Sequence, residues 1–275
     1  MEVLKVRGLL LLWKRIGEDD ILGLAAQLAY FFLLSLFPLL IFLVTLLPYL
    51  PITQDEMLGV VADFAPGQTM EFIEVNLNEI MSHQNKTLLS FGIIATIWSA
   101  SNGLNAVVRA LNKAYEVKES RSFIVARGMA ILFTVAMIFV FIIALLLPVF
   151  GKQIGMFLFA KFGMSSEFLA FWNMIRWFLS SLIIFVVFLV LYWLAPNKKF
   201  KCIDAVPGAV FSTISWLLVS YGFSYYVSNF GNYSAMYGSI GAVIVLLIWF
   251  YLSGVIILLG GEINALSSFL KGTDC

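Results

Sequence analysis

Charged residues are scarce in this sequence of 275 residues, because Asp, Glu, Lys and Arg together make up only 12% of it. A soluble globular domain has about 25% charged residues. Hydrophobic residues reach 61%, so too little charge is present to cover the surface of a water-soluble protein of this size. This composition excludes an ordinary cytosolic enzyme and a disordered chain.

Cysteine and histidine are also rare, and the formal net charge is close to zero. Two cysteines are too few for a disulfide framework or a cysteine-rich zinc site. The single histidine, His83, belongs to no metal-binding motif, and the sequence has no P-loop and no paired-carboxylate motif. A formal net charge of +1 gives no basic field that would attract nucleic acid. We therefore expect no enzymatic activity, no cofactor, no bound metal and no nucleic-acid partner.

What the sequence does contain is long runs without any charge, at residues 21–54, 87–108, 128–151, 177–197 and 205–261. A helix needs about 20 apolar residues to cross the hydrocarbon core of a bilayer. The first four runs fit one span each, and the last fits two spans around a polar turn at residues 228–234. The sequence therefore predicts an all-α integral membrane protein, a six-transmembrane-helix bundle with spans at about 22–48, 88–109, 127–149, 171–195, 204–228 and 238–264.

The distribution of Lys and Arg predicts the orientation of this membrane domain, residues 21–266. With six spans, thirteen of the 17 basic residues lie on the side shared by both termini, and four lie on the other side. Loops rich in Lys and Arg face the cytoplasm, so both termini should be cytoplasmic. Residues 1–20 should form an amphipathic segment on the inner face of the membrane, residues 51–87 an extracytoplasmic loop with short helices, and residues 267–275 a cytoplasmic tail.

Polar side chains inside the spans are the candidates for function. Asn102, Asn105 and Arg109 share one face of the second span, where amides are too polar to face lipid. Two interpretations stay open: a polar pathway that leads to Arg109, or hydrogen bonds between helices, worth about 0.6 kcal/mol per pair. The candidate residues for an in-bundle polar path or substrate path are Gln27, Tyr30, Ser35, Ser99, Ser101, Asn102, Asn105 and Tyr237.

Glu262 is the carboxylate at the edge of the last span. An acid near the C-terminal end of a helix opposes the helix dipole, so it should have a cation beside it. We predict an ion pair with Arg109 or Arg127 in a cluster at the inner end of the bundle that also contains Asn264. A structural clamp is favoured over a proton relay, because relays bury their acid deeper in the membrane.

Several short stretches resemble a known family when they are taken in order. They are AAQLAY (25–30), SLFP (35–38), WSASNG (98–103), YG (237–238), WFY (249–251) and GGEIN (260–264), with Arg121 and Arg127. Together they look like the YihY/virulence factor BrkB family of bacterial inner-membrane proteins, over about residues 19–266. The resemblance implies a multi-pass protein of the bacterial inner membrane. Some members carry an old ribonuclease BN label, and others are linked to serum resistance or to envelope lipid export.

The ribonuclease label does not fit the residues that are present. Hydrolysis of RNA needs acid–base groups or a metal-bound water, and neither has a motif in this sequence. We expect a transporter of lipid or another envelope-related substrate, with membrane lipids as partners and a lipid or small solute as substrate. The alternative is a non-transporting scaffold or interaction protein of the cell envelope.

Overall fold

The computed structural model describes residues 2–49, 85–136, 166–198, 201–230 and 240–270, and the single positions 58, 74, 77 and 78. Within these residues every regular element is helical, which confirms the predicted all-α class. The helices are α1 (Glu2–Glu18), α2 (Ile21–Leu46), α3 (Lys86–Ala114), α4 (Phe123–Ala136), α5 (Ser166–Leu194), α6 (Val206–Phe230) and α7 (Ile240–Leu270). Short 3-10 turns, Leu47–Tyr49 and Cys202–Ala205, follow α2 and precede α6.

In the described part of the chain, four helical segments are long and apolar enough to cross a membrane: Ile21–Tyr49, Lys86–Ala114, Cys202–Val227 and Ile240–Phe269. Two shorter apolar helices, Phe123–Ala136 and Phe178–Leu194, occupy the regions of the predicted third and fourth spans. Multi-pass membrane character is therefore confirmed, whereas the count of six spans and the cytoplasmic position of the termini stay predictions. Most of the predicted outer loop, the C-terminal tail and Tyr237 lie outside the described residues.

The chain divides into two compact units, and the smaller one comprises Phe31–Ala100. In this unit the later part of α2 packs against the first part of α3. The contact is close at Gly92, where a Cβ atom would lie 3.0 Å from the Cα of Phe42. The hydroxyl groups of Thr45 and Thr96 donate hydrogen bonds to carbonyls of their own helices, so neither group needs a partner on another helix.

The larger unit, Met1–Tyr30 with Ser101–Cys275, is organised around α6, which packs along both α5 and α7. Helix α1 contacts α7, so the N-terminal segment is part of this unit. Two residues with positive φ end the helices that lead to the candidate site. Asp20 (φ 53) separates α1 from α2, and Glu116 (φ 54) follows the end of α3. Residues in this left-handed conformation cannot continue a right-handed helix, so α1 and α3 both end just before these positions.

Candidate functional site

The carboxyl group of Glu262 lies in the C-terminal third of α7 and has no solvent exposure. Its cation is Arg15 of α1, whose Nη1 is 3.5 Å from Oε2 of Glu262. Arg15 also donates to the carbonyl of Ala114 and to Oε1 of Glu116, each at 2.9 Å. One guanidinium group therefore connects α1, the end of α3 and α7.

A second carboxyl group completes this arrangement. Asp19 lies in the turn between α1 and α2, and its side chain is 19% exposed. Lys113 of α3 approaches Asp19 at 3.6 Å and donates to the carbonyl of Glu18 at 3.2 Å. The residues of what we call the Glu262 cluster are Arg15, Asp19, Lys113, Glu116 and Glu262.

The cation differs from the sequence-based prediction, which named Arg109 or Arg127. Arg109 is exposed and makes no hydrogen bond or ion pair with any described residue. Arg127 instead donates from Nη1 to Oδ1 of Asn102 at 2.7 Å. The reason is the docking of α1 on α7, which brings Arg15 to Glu262 across 247 positions of sequence. Arg15 and Asp19 had no signal in the sequence beyond their place at the end of an amphipathic segment.

Tyr115 borders the Glu262 cluster directly after α3 and is 7% exposed. Burial raises the pKa of its phenol far above the ordinary value, and the negative charges of Asp204 and Glu262 raise it further. The phenol therefore stays protonated at physiological pH. The Tyr115 side chain thus lies beside the cluster as a neutral, buried group.

Asn264, predicted as a member of the ion-pair cluster, has a different role. It is fully buried, and its Oδ1 accepts from the N–H of Gly208 at 2.6 Å. Its Nδ2 donates to the carbonyl of Ala205 at 3.1 Å. Both partners lie at the start of α6, so a side chain of α7 caps a neighbouring helix. We call this arrangement the α6 cap.

The glycines beside the α6 cap allow three helices to approach closely. A Cβ on Gly208 would collide with the carbonyl oxygen of Gly260. A Cβ on Gly260 would collide with the hydroxyl groups of Tyr192 and Ser212. The Tyr192 hydroxyl donates to the carbonyl of Ile257 at 2.8 Å and lies 2.7 Å from Oγ of Ser212. These residues therefore serve to pack the helices of the larger unit against one another.

The polar side chains on the candidate face of α3 bind several different partners. Asn102 binds Arg127 of α4, while Ser101 beside it is fully buried. Asn105 is half-buried and makes no hydrogen bond to a residue of the described ranges. Asn112 accepts from the N–H of Asn197 at 2.7 Å and donates to Glu119 at 2.8 Å. Asn102 on this face therefore binds the side chain of Arg127, whereas Asn112 at the C-terminal end of α3 holds the turn after α5.

The remaining candidates do not gather into one site. Gln27 is exposed and Tyr30 is 57% exposed on α2. Ser35 donates to the carbonyl of Phe32 in its own helix. Ser99 is half-buried on α3. Among the described residues, no group of three or more His, Cys, Asp or Glu side chains could hold a metal ion.

The helices and the polar clusters between them define the chain as a multi-pass, all-helical membrane protein. The model of the family "Virulence factor BrkB" matches residues 12–270, and the chain belongs to this family. YfkH of Bacillus subtilis, which is named as a ribonuclease-like protein, is 56% identical over 88% of both chains. A UPF0761 membrane protein of Vibrio parahaemolyticus is 31% identical over 92% of this chain and 80% of its own. No solved structure matches the chain.

Proposed function

We propose that this chain is a transporter of lipid or another envelope-related substrate in the bacterial inner membrane, with six spans and both termini in the cytoplasm. The observation that supports it is the bond between Arg127 and Asn102, which holds a guanidinium group between two apolar helices. Arg127 lies at the predicted inner end of the third span, and a charged side chain that is held between membrane helices usually marks a substrate or ion pathway.

The chemistry of the guanidinium group suggests which substrates it would recognise. Arg presents a planar fork of donors that matches the oxygens of a phosphate or carboxylate group. Nη1 of Arg127 donates to Asn102, and this bond holds the guanidinium group in a fixed orientation. An anionic headgroup is therefore the substrate chemistry that we favour.

The competing function is a non-transporting scaffold or interaction protein of the envelope. It is favoured by the pairing of Asn112, whose amide oxygen accepts from Asn197 and whose amide nitrogen donates to Glu119. If the other polar groups of α3 serve only to join helices in this way, nothing needs to move through the bundle. The two functions differ in what reconstituted protein does to lipid.

A scramblase assay in proteoliposomes separates them. We expect wild-type protein to move fluorescent phosphatidylglycerol between leaflets. Asn102→Leu and Arg127→Gln should each slow this about 10-fold, because a charge-assisted hydrogen bond is worth about 1.5–3 kcal/mol. Lys118→Gln removes an exposed cation just after α3 whose side chain makes no bond to a described residue, so it is the control and should keep most of the activity. Wild-type protein that moves neither anionic lipid nor a small anionic solute would favour the scaffold.

The topology has a separate test. A C-terminal fusion to green fluorescent protein should be fluorescent, and the same fusion to alkaline phosphatase should be inactive, if the C-terminus is cytoplasmic. The reverse result would contradict the positive-inside assignment.

A further inference from the structure

The surface that α3 leaves uncovered in its second half is polar, although α3 is long and apolar enough to cross a membrane. Asn102 and Asn105 are half-buried and Arg109 is exposed, whereas every other residue in the range 101–112 is buried. The spacing i, i+3, i+7 puts these three side chains on one side of the helix. The rest of the chain therefore covers this segment except on its polar side, which we call the α3 polar face.

Lipid covers whatever surface a membrane helix does not bury in protein. Hydrocarbon chains cannot satisfy amide or guanidinium groups, so the α3 polar face needs a polar neighbour. Helix α3 has 29 residues and ends at Ala114, which at about 1.5 Å per residue makes it about 43 Å long. The hydrocarbon core is about 30 Å thick, so the ends of α3 lie among the lipid headgroups. Arg109 lies five residues before Ala114, and its long side chain reaches that level.

Arg109 brings to this face a cation that no acid of the described residues neutralises. It makes no hydrogen bond or ion pair with them. The acids that follow α3 are engaged elsewhere, since Glu116 binds Arg15 at 2.9 Å and Glu119 accepts from Asn112 at 2.8 Å. The amide of Asn105, one turn before Arg109, makes no hydrogen bond within the described ranges either. A guanidinium group and an amide are thus available side by side.

A second guanidinium group reaches the α3 polar face from α4. Nη1 of Arg127 donates to Oδ1 of Asn102 at 2.7 Å, which places this cation one turn from Asn105. Guanidinium groups and amide N–H groups are the donors that match phosphate oxygens. The face therefore combines two positive charges and an amide at the depth where lipid phosphates lie.

We propose that the α3 polar face is a binding site for the phosphate headgroup of an anionic phospholipid. The site consists of Asn102, Asn105, Arg109 and Arg127. The fork of Arg109 binds two phosphate oxygens, and the amide of Asn105 donates to a third. The site adjoins the Arg127–Asn102 bond that supports the proposed function, but it requires only that lipid binds, so a scaffold protein would have it as well.

The charge of the site selects among lipids. Phosphatidylcholine carries an ammonium group beside its phosphate, and two guanidinium groups would repel that ammonium group. Phosphatidylglycerol carries the phosphate charge alone. We therefore expect the site to prefer phosphatidylglycerol, and the predicted orientation of the chain would place the site in the inner leaflet.

Native mass spectrometry of the full chain, released from detergent micelles that contain phosphatidylglycerol or phosphatidylcholine, tests this site. Wild-type protein should retain phosphatidylglycerol about 10-fold more tightly than phosphatidylcholine. Arg109→Gln should weaken the binding of phosphatidylglycerol about 10-fold, because a charge-assisted hydrogen bond is lost. Arg109→Lys should restore only part of it, because an ammonium group lacks the planar fork. Lys118→Gln removes an exposed cation outside the face and should change binding by no more than about 2-fold.

Arg109 is exposed and unbonded, so Arg109→Gln should melt at the wild-type Tm. Asn105→Leu is the second variant and should also weaken binding. Equal binding of phosphatidylglycerol by wild-type protein and Arg109→Gln, or equal binding of the two lipids by wild-type protein, overturns the proposal. Displacement of the lipid by excess inorganic phosphate overturns it in favour of a soluble anion. A dimer that Arg109→Gln separates, without a change in bound lipid, overturns it in favour of a second copy of the chain.

The result is separable from transport. Wild-type protein that binds phosphatidylglycerol at this site but does not move it in the scramblase assay supports the site and contradicts transport. Movement of lipid by wild-type protein, with equal binding by wild-type protein and Arg109→Gln, contradicts the site and leaves transport in place.

Discussion

Replacement of Asn264 by Ala removes the whole α6 cap in one step. The N–H of Gly208 then loses its acceptor at 2.6 Å, and the carbonyl of Ala205 loses its donor at 3.1 Å. Neither group can turn to water, because Gly208 and Ala205 are both buried. Helix α6 also has Pro207 in its first turn, which has no N–H, so the bond to Gly208 is a main attachment of the helix start.

The size of the effect follows from these two groups. A buried donor without a partner costs about 1–3 kcal/mol. The carbonyl of Ala205 keeps a second lone pair for its helix, so its loss adds less. Truncation of a fully buried amide leaves a small cavity as well. We expect a loss of about 2–4 kcal/mol, which for a chain of this length lowers Tm by about 5–15 °C.

Intrinsic tryptophan fluorescence during heating of purified protein in detergent measures this shift. The matched control is Asn229→Ala, since Asn229 lies on the same helix α6, is exposed and, within the described residues, bonds only to the carbonyl of Tyr225. That variant should change Tm by no more than about 2 °C. Equal Tm values for the two variants would refute the view that the α6 cap holds the helix start.

Two further substitutions test other contacts of the larger unit. Gly260→Ala should lower stability by about 1–3 kcal/mol, because the added methyl group would overlap the Tyr192 hydroxyl. Gly222→Ala is its control in the same melting assay, since a methyl group there has open space and should be neutral or slightly stabilising. Arg121→Gln should expose the turn after α5 to cleavage by protease, because Arg121 donates to the carbonyls of Ala195 and Pro196 at 3.2 and 2.8 Å. Arg109→Gln should leave the digestion rate unchanged, and equal rates for the two arginine variants would argue against this contact.

The helices could be predicted from the sequence because their signals are local. Helix α2 begins at Ile21, the first residue of a charge-free run, since a span in lipid must be apolar and must satisfy its own backbone. The fifth span was predicted from about residue 204, and α6 begins at Val206, with Pro207 in its first turn where a missing N–H costs little. Both predictions needed only composition and spacing within one segment.

The partners of the polar side chains could not be predicted in the same way. Pairing of Glu262 with Arg15 requires α1 to dock on α7, and no periodicity in the sequence encodes that docking. The same holds for Asn264, since the sequence shows a buried amide but not which helix end it caps. Such contacts depend on how helices approach one another, which is set by glycines and by side-chain shape over long separations.

The α6 cap also bears on the order in which the protein is made. Asn264 lies 56 positions after Gly208, so α6 leaves the ribosome before its cap has been synthesised. At about 5–20 residues per second, the interval is roughly 3–11 s. During that time the start of α6 needs water, lipid headgroups or the insertion machinery as a temporary partner. The arrival of α7 is therefore the step that completes α6, and a chain truncated before Asn264 would present an unfinished helix end to the cell's quality-control proteases.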